Sequence, residues 1–136
     1  MNKEDKELLL RDLCARLPYN VHVEYKEEIY GVLGISHGRL ILCKPFMSQT
    51  LEYCPLIKEV KPYLFPLSSM TEEQKNEYNR WKHEVPVCHY EYGDVVEEIE
   101  LLDSPESFDY LIENHFDYRG LISMGLAIDC TNLNIY

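Results

Sequence analysis

The sequence predicts an α+β fold: a single domain over residues 1–136, in which an antiparallel sheet of about five strands is packed by an N-terminal, a middle and a C-terminal helix. Three observations carry this prediction. A chain of 136 residues that are 46% hydrophobic has the size and composition of one folded domain. Short apolar or alternating runs are joined by turns too short for parallel crossovers. Three further segments begin with residues that favour helix starts.

Residues 3–17 predict the N-terminal helix. Asn2 can cap its first turn, where acidic residues suit the helix dipole. Pro18 ends the helix because proline has no amide donor. The three- and four-residue spacing predicts a buried face formed by Leu9, Leu10, Leu13, Cys14 and Leu17.

Three strands of a meander are predicted next. Residues 21–26 alternate between apolar and polar side chains, as in a half-buried strand. Residues 29–35 are more uniformly apolar, as in a central strand. A Ser36-His37-Gly38 turn then leads into residues 39–43.

The segment from residue 44 to residue 68 is rich in proline, which forbids long regular elements. Residues 51–54 predict a further short strand. Residues 61–67 predict an irregular apolar loop, either packed onto the body of the domain or forming part of a groove.

The middle helix is predicted to reach about Lys82, since overlapping capping boxes begin at Ser69 and Thr71. Its apolar content is thin, so Tyr78 and Trp81 are expected to hold it in place.

A β-hairpin is predicted from residues 85–92 and 95–101, with Gly93-Asp94 as its two-residue turn. Glutamates make the second strand poorly self-complementary, which protects an edge.

The C-terminal helix is predicted to start at Ser104, which caps it ahead of Pro105. Its buried stripe is predicted to contain Phe108, Leu111, Ile112 and Phe116. Gly120 and Gly125 are expected to turn the chain back onto the sheet.

The charge is distributed unevenly. The chain has 13 Lys and Arg against 24 Asp and Glu, a net charge of −11, and eleven acids but no Lys or Arg lie between Lys82 and Arg119. Such a field repels phosphate backbones, so direct nucleic-acid binding is not expected. Segment 84–117 is therefore either a solvated acidic surface or a surface that attracts a basic protein. The candidate partner-binding residues are Glu97, Glu98, Glu100, Asp103, Glu106 and Asp109.

Arg119 is the other candidate for a functional role. Either it pairs with a neighbouring acid and fixes the turn before Gly120, or it lines a pocket for a small anionic ligand. The candidate ligand-binding residues of that pocket are Arg119, Tyr118, Tyr63 and Trp81.

Catalytic chemistry is not expected, and neither is a cofactor or a metal. Glu24-Tyr25-Lys26 has the Glu-x-Lys pattern of one nuclease metal site, but a helix and a proline precede it where that site needs an acidic strand. Cys88 and His89 are adjacent on a predicted strand, so they point to opposite faces and cannot form a dyad. Cys88, His89 and His83 lack the ligand spacing of a zinc site.

The predicted compartment is the cytoplasm, with no membrane association. No apolar run approaches the roughly 18–20 residues needed to cross a bilayer, and the charged N-terminus does not have the pattern of a signal peptide. The five cysteines include no Cys-x-x-Cys pair, so they are expected to be small buried residues in a reducing compartment.

Three stretches together carry a family resemblance. They contain Leu-Cys-Ala-Arg-Leu-Pro-Tyr within residues 7–19, Pro-Leu-Ser-Ser-Met-Thr-Glu-Glu within residues 59–74, and His-Phe-Asp-Tyr-Arg-Gly-Leu-Ile within residues 115–128. The chain resembles an uncharacterised family of small proteins encoded by gut Bacteroides-type bacteria and their phages and mobile elements. It departs from that pattern after Ile128, where a short polar ending would be expected. The resemblance implies a protein that modulates host or phage processes by binding.

The leading functional hypothesis is a non-catalytic accessory protein of phage or mobile-element type. It would engage a basic protein through its acidic segment 84–117, for example to block a nucleic-acid-binding surface. The alternative is a protein that binds or sequesters a nucleotide-like molecule around Arg119, and an unrecognised hydrolase comes third. The sequence leaves the oligomeric state open and allows a homo-oligomer.

Overall fold

A computed structural model describes residues 1–44 and 53–136. It confirms the α+β class, with helices and a mostly antiparallel sheet in this part of the chain. The helices are α1 (Lys3–Arg16), α2 (Glu72–Arg80) and α3 (Pro105–Glu113). The strands are β1 (His22–Tyr25), β2 (Glu28–Ser36), β3 (Arg39–Cys43), β4 (Lys61–Pro66), β5 (His83–Glu91), β6 (Asp94–Leu102), β7 (Phe116–Asp117) and β8 (Ile128–Asp129). The chain forms two compact units, Met1–Ser69 with Ile112–Tyr136 and Met70–Leu111.

The first unit is built on a sheet with the strand order β3-β2-β1-β4-β7, in which β8 also pairs with β4. The strands β1, β2 and β3 form the predicted antiparallel meander, and β1 pairs antiparallel with β4. In contrast, β4 pairs in parallel with β7 and β8. These parallel pairs are compatible with the fold because long connections separate the strands in sequence.

Strand β4 corrects the prediction of an irregular loop over residues 61–67. Pro62 and Pro66 lie near the start and at the end of this strand, so neither removes an amide donor from its centre. Between them, the N–H of Phe65 donates to the carbonyl of His115 at 2.8 Å. The prediction failed because the partners of this strand come from distant parts of the chain.

Helix α1 begins and ends close to the predicted residues, and the Asn2 side chain caps it by accepting from the N–H of Asp5 at 2.8 Å. Its buried face differs from the prediction. The buried residues are Leu9, Asp12, Leu13 and Arg16, whereas Cys14 is exposed. This face can be buried because Asp12 and Arg16 lie four residues apart and pair with each other.

The core of the first unit joins α1 to the sheet. Leu9 and Leu13 of α1 belong to the same buried cluster as Val23 of β1, Leu42 of β3 and Leu64 of β4. Full burial of an aliphatic side chain is worth about 1.5–3 kcal/mol, so this cluster fixes α1 on the sheet.

Helix α2 in the second unit begins with one of the two predicted capping boxes. The Thr71 hydroxyl accepts from the N–H of Gln74 at 3.2 Å, and the Gln74 side chain accepts from the N–H of Thr71 at 2.9 Å. The rings of Tyr78 and Tyr110 lie 6.3 Å apart. Trp81 follows the last residue of the helix, and half of its surface is exposed.

Ser104 caps α3 as predicted. Its Oγ accepts from the N–H of Ser107 at 3.0 Å, and the Oγ of Ser107 accepts from the N–H of Ser104 at 2.8 Å. The predicted buried stripe is partly wrong. Leu111 and Ile112 are buried, but Phe108 is 37% exposed, and Ser107 and Tyr110 are buried instead. Both serines that exchange these hydrogen bonds are buried.

The chain leaves the helical path soon after α3 ends at Glu113. His115 adopts a left-handed conformation with φ of 63°. Phe116 is buried as predicted, but it lies in β7 rather than on the helix. This sharp turn brings the chain back to pair with β4.

The cysteines are free thiols. Cys130 is buried, Cys43 is partly buried, and the exposed thiols are Cys14, Cys54 and Cys88. The expectation of small buried residues is therefore wrong for three of them. Burial raises the pKa of the Cys130 thiol to about 11.

The strand predicted over residues 51–54 lies partly outside the described residues. Within them, Tyr53 forms an antiparallel bridge with Leu42, whose N–H donates to the Tyr53 carbonyl at 3.1 Å. None of the described helices combines the length and the apolar character that crossing a membrane requires.

Candidate functional site

The hairpin of β5 and β6 is the candidate functional site because almost all of its residues are exposed. Its loop is Tyr92-Gly93, not the predicted Gly93-Asp94, since Asp94 already pairs with Glu91. The φ values of Tyr92 and Gly93, 52° and 86°, fit a type I′ turn, in which both central residues are left-handed and glycine suits the second position. This one-residue difference sets the register of the whole hairpin.

The register defines two faces, because directly opposed residues of an antiparallel pair project to the same side. The side that we call the apolar face contains Pro86, Cys88, Tyr90, Val95, Ile99 and Leu101, together with Glu84 and Glu97. The side that we call the reverse face contains His83, Val85, Val87, His89, Val96, Glu98, Glu100 and Leu102, with Glu91 and Asp94 next to the turn.

The apolar face is open to solvent. Tyr90 is 82% exposed, Ile99 is 69% exposed and Val95 is 63% exposed. A two-stranded hairpin is at best marginally stable alone in water, and contiguous exposed apolar surface with a polar rim is typical of an interaction site. The apolar face therefore has the composition of a surface that binds another molecule.

Carboxylates lie on both faces of the hairpin, with Glu84 and Glu97 among the residues of the apolar face. The exposed acids of the hairpin are Glu84, Glu91, Asp94, Glu97, Glu98 and Glu100. The hairpin itself contains no Lys or Arg. The hairpin thus combines apolar surface with a local field that favours cations.

The other acids predicted to bind a partner differ in their surroundings. Glu106 and Asp109 are exposed on α3. Asp103 is exposed too, but it accepts hydrogen bonds from the hydroxyls of Tyr78 and Ser107. Burial, together with this hydrogen bond, raises the pKa of Tyr78 above its usual range.

Asp117, the last acid of segment 84–117, has a structural role. It is buried, and its two carboxylate oxygens accept from the N–H groups of Leu121 and Ile122, each at 2.9 Å. These bonds fix the turn that contains Gly120, whose φ is 76°. The sequence grouped Asp117 with the surface acids because nothing local marks it as buried.

The residues of the predicted ligand pocket divide between the two units. The Arg119 guanidinium carbon lies 4.7 Å from the centre of the Tyr118 ring. Tyr63 is buried on β4 in the same unit. Trp81 belongs to the second unit.

Arg119 is engaged by a carboxylate from α1. Its Nε donates to Oδ1 of Asp12 at 3.2 Å. Asp12 also receives two hydrogen bonds from Arg16, Nε to Oδ2 at 2.7 Å and Nη2 to Oδ1 at 3.2 Å. Nη2 of Arg16 donates further to the carbonyl of Phe116 at 2.6 Å.

The side chains of Asp12 and Arg16 are both fully buried. Sequence reasoning missed them because it predicted the buried face of α1 from its apolar residues alone. Their i,i+4 spacing with opposite charges was the available signal. The cluster of Asp12, Arg16 and Arg119 ties α1 to the segment that follows β7.

A second hydrogen-bonded group surrounds the hydroxyl of Tyr136, a residue that is partly exposed. Its hydroxyl accepts from the N–H of His22 and donates to the carbonyl of Tyr63, both at 2.9 Å. The ring stacks on His115 with centroids 3.6 Å apart. Burial, followed by electrostatic interactions with Arg16 and His22, lowers the pKa of His115 to about 4, so this imidazole is neutral at pH 7.

The residues considered for catalytic chemistry lie on β5 and β1. Cys88 and His89 occupy adjacent positions of β5 and so project to opposite faces of the hairpin. Within residues 1–44 and 53–136, no group of three His, Cys, Asp or Glu side chains has the arrangement of a metal site. Glu24, the carboxylate of the Glu-x-Lys pattern, lies on β1, which pairs with β2 and β4.

Comparison of the chain with protein-family models, with curated proteins and with solved structures gives no match.

Proposed function

We propose that this protein is a non-catalytic binding protein that engages a basic protein partner through its acidic segment 84–117, with the β5–β6 hairpin as the main contact. The observation that carries the proposal is the exposed apolar face of a hairpin that has six exposed carboxylates and contains no Lys or Arg. Apolar contact would supply affinity, and the carboxylates would select a partner of opposite charge.

The two parts of the surface make different contributions. Protein interfaces combine an apolar, often aromatic centre with a polar rim, and Tyr90 and Ile99 are suited to that centre. Exposed ion pairs contribute only about 0.2–1 kcal/mol each, so the rim alone would bind weakly and non-selectively. Exposed charges are screened by salt, so partner binding should weaken as ionic strength rises.

Partner capture with charge-neutralised variants tests the proposal. The intact protein, a hairpin variant (Glu97→Gln, Glu98→Gln, Glu100→Gln) and a control variant with three other exposed acids neutralised (Glu4→Gln, Glu7→Gln, Glu73→Gln) are compared at low and high salt. The two variants have the same net charge, so only the location of the charge differs.

We expect the intact protein and the control variant to retain a basic protein at low salt. It should be released by high salt and lost by the hairpin variant. Equal retention by all three proteins, or loss with the control variant alone, would contradict it.

Binding of a small nucleotide-like anion near Arg119 stays a prediction from the sequence, and hydrolase activity stays a third one. A ligand that binds the folded protein raises its melting temperature. Thermal unfolding with nucleotides, in the intact protein and in Arg119→Ala, tests the ligand hypothesis, since it requires a stabilisation that the substitution abolishes.

The biological setting remains part of the proposal. The resemblance to phage- and mobile-element-encoded proteins agrees with a small binding protein. The cytoplasm is the proposed compartment, and the five free thiols are compatible with its reducing conditions.

A further inference from the structure

The two outer edges of the hairpin are not equivalent. In a two-residue hairpin the residues that flank the loop exchange hydrogen bonds, and bonded and non-bonded pairs alternate from there. With Glu91 and Asp94 as the first pair, the N–H and C=O groups of Val95, Glu97, Ile99 and Leu101 point away from β5, along the free edge of β6.

The same alternation applies to β5, where the outward-facing residues are Glu84, Pro86, Cys88 and Tyr90. Pro86 has no N–H to offer, and proline on an edge prevents further strand pairing. Every outward-facing residue of β6, in contrast, has a backbone N–H. Within the part of the chain that the structure describes, β6 pairs with β5 alone.

We propose that the edge of β6 binds an extended segment of the partner as an added third strand, and that this segment alternates Lys or Arg with apolar residues. This inference rests on the proposed function and specifies how the partner binds. Main-chain hydrogen bonds give affinity in this mode of recognition, and alternate side chains give specificity.

The two faces of β6 dictate the alternation in the partner. Val95, Ile99 and Leu101 project on the apolar face, with Glu97 as the fourth β6 residue there, so most partner side chains on that side should be apolar. Glu98 and Glu100 project on the reverse face between Val96 and Leu102, so the partner side chains opposite the two glutamates should be cationic. Oppositely charged cross-strand pairs stabilise a sheet by roughly 0.2–1 kcal/mol each.

Charge also argues against a second copy of this chain as the occupant. Pairing of β6 with β6 would bring Glu97, Glu98 and Glu100 of both copies together. Like charges on neighbouring strands are destabilising. A basic segment relieves the same repulsion.

Binding of labelled synthetic peptides, measured by fluorescence anisotropy at low salt, tests the inference. The probe is a peptide as long as β6 in which lysine alternates with valine. One control has the same composition with the lysines and valines in separate blocks, and another has glutamate in place of lysine. The alternating peptide should bind at least about tenfold more tightly than either control, a difference of ~1.4 kcal/mol.

N-methylated peptides test the backbone hydrogen bonds without changing the protein. Methyl groups are placed on the amides of all valines in one peptide and of all lysines in another. Only one alternate set of amides faces β6 in a strand pairing, so one peptide should lose binding and the other should keep it. An equal effect of the two methylations overturns the inference.

Proline substitutions test the same edge from the side of the protein. Ile99→Pro removes an outward N–H from β6, Ile99→Ala removes the side chain but keeps the N–H, and Cys88→Pro removes an outward N–H from the protected edge of β5. Only Ile99→Pro should bind the alternating peptide at least about tenfold more weakly than Ile99→Ala does.

Failure of the inference and failure of the proposed function are distinguishable. If the block peptide binds as tightly as the alternating one and is released by salt, the acidic surface binds basic partners but not by strand addition. If no basic peptide binds and the hairpin variant still captures the partner, both are wrong. If the protein forms a homodimer that Ile99→Pro dissociates, and no peptide binds, the occupant of the β6 edge is a second copy of this chain. That result would overturn the inference.

Discussion

The buried cluster of Asp12, Arg16 and Arg119 allows a quantitative prediction about stability. In Asp12→Ala the Arg16 guanidinium loses its carboxylate while its side chain is fully buried. Removing one partner of a buried ion pair costs about 3–5 kcal/mol, because the remaining charge is uncompensated. A loss of about 4 kcal/mol is a large fraction of the 5–15 kcal/mol typical of a folded domain.

Urea unfolding followed by circular dichroism measures this loss. With a slope of about 2 kcal/mol per molar urea, the midpoint should fall by about 2 M in Asp12→Ala. Asp12→Asn keeps the shape of the side chain and one acceptor oxygen, so its urea midpoint should lie between those of Asp12→Ala and the intact protein. Glu7→Ala, an exposed change on the same helix, should stay within about 0.5 kcal/mol.

A midpoint for Asp12→Ala that matches the Glu7→Ala control would refute this reasoning. It would mean that Arg16 reaches solvent or a different acceptor when the carboxylate is removed. The fold would then not depend on the pair.

Three further predictions concern the first unit. Arg119→Ala should cost only about 1–2 kcal/mol, because Arg119 is partly exposed and holds Asp12 through Nε alone; a protein that no longer folds would contradict this. Asp117→Ala should cost about 3 kcal/mol by the same urea assay, since a buried amide without an acceptor costs about 1–3 kcal/mol and Asp117 serves two of them; an unchanged midpoint would exclude the capping role. For His115, folding lowers the pKa to about 4 from an unfolded value near 6.5, so its contribution to stability is fully present above about pH 6.5 and is lost as pH falls towards 4. The intact protein should therefore lose more stability between pH 7 and pH 5 than the His115→Asn variant, in which asparagine tolerates the left-handed backbone. Equal losses would argue against a neutral, partly buried imidazole.

Local signals in the sequence predicted local structure well. The Asn2, Thr71 and Ser104 caps all form as expected, because a cap depends on residues only three positions apart. The hairpin was also predicted, with its turn displaced by one residue. That displacement matters, since the register decides which side chains share a face.

Features that depend on distant residues were not predictable in the same way. Strand β4 was interpreted as a loop because the sequence shows its prolines directly. The sequence does not show that β4 pairs with β1, β7 and β8. Asp12 and Arg16 were not included in the predicted buried face of α1, because burial of a charge depends on a tertiary partner. The separation of Trp81 from Arg119 into different units could not be inferred from either residue.

The acidic surface shows the same division between local and distant information. The sequence identified the run of acids between Lys82 and Arg119, and most of these side chains are exposed. It did not identify Asp117 as buried. Nor did it predict that the apolar residues opposite each other on β5 and β6 would remain exposed.

Backbone amide hydrogen exchange of the intact protein, alone and bound to the basic partner recovered by salt-dependent capture, tests the central claim most directly. The account predicts slower exchange on binding in segments covering β6, with the segments around Arg119 unchanged. Protection confined to residues 112–136, with β5 and β6 exchanging as in the free protein, would contradict it and assign binding to the other end of the chain.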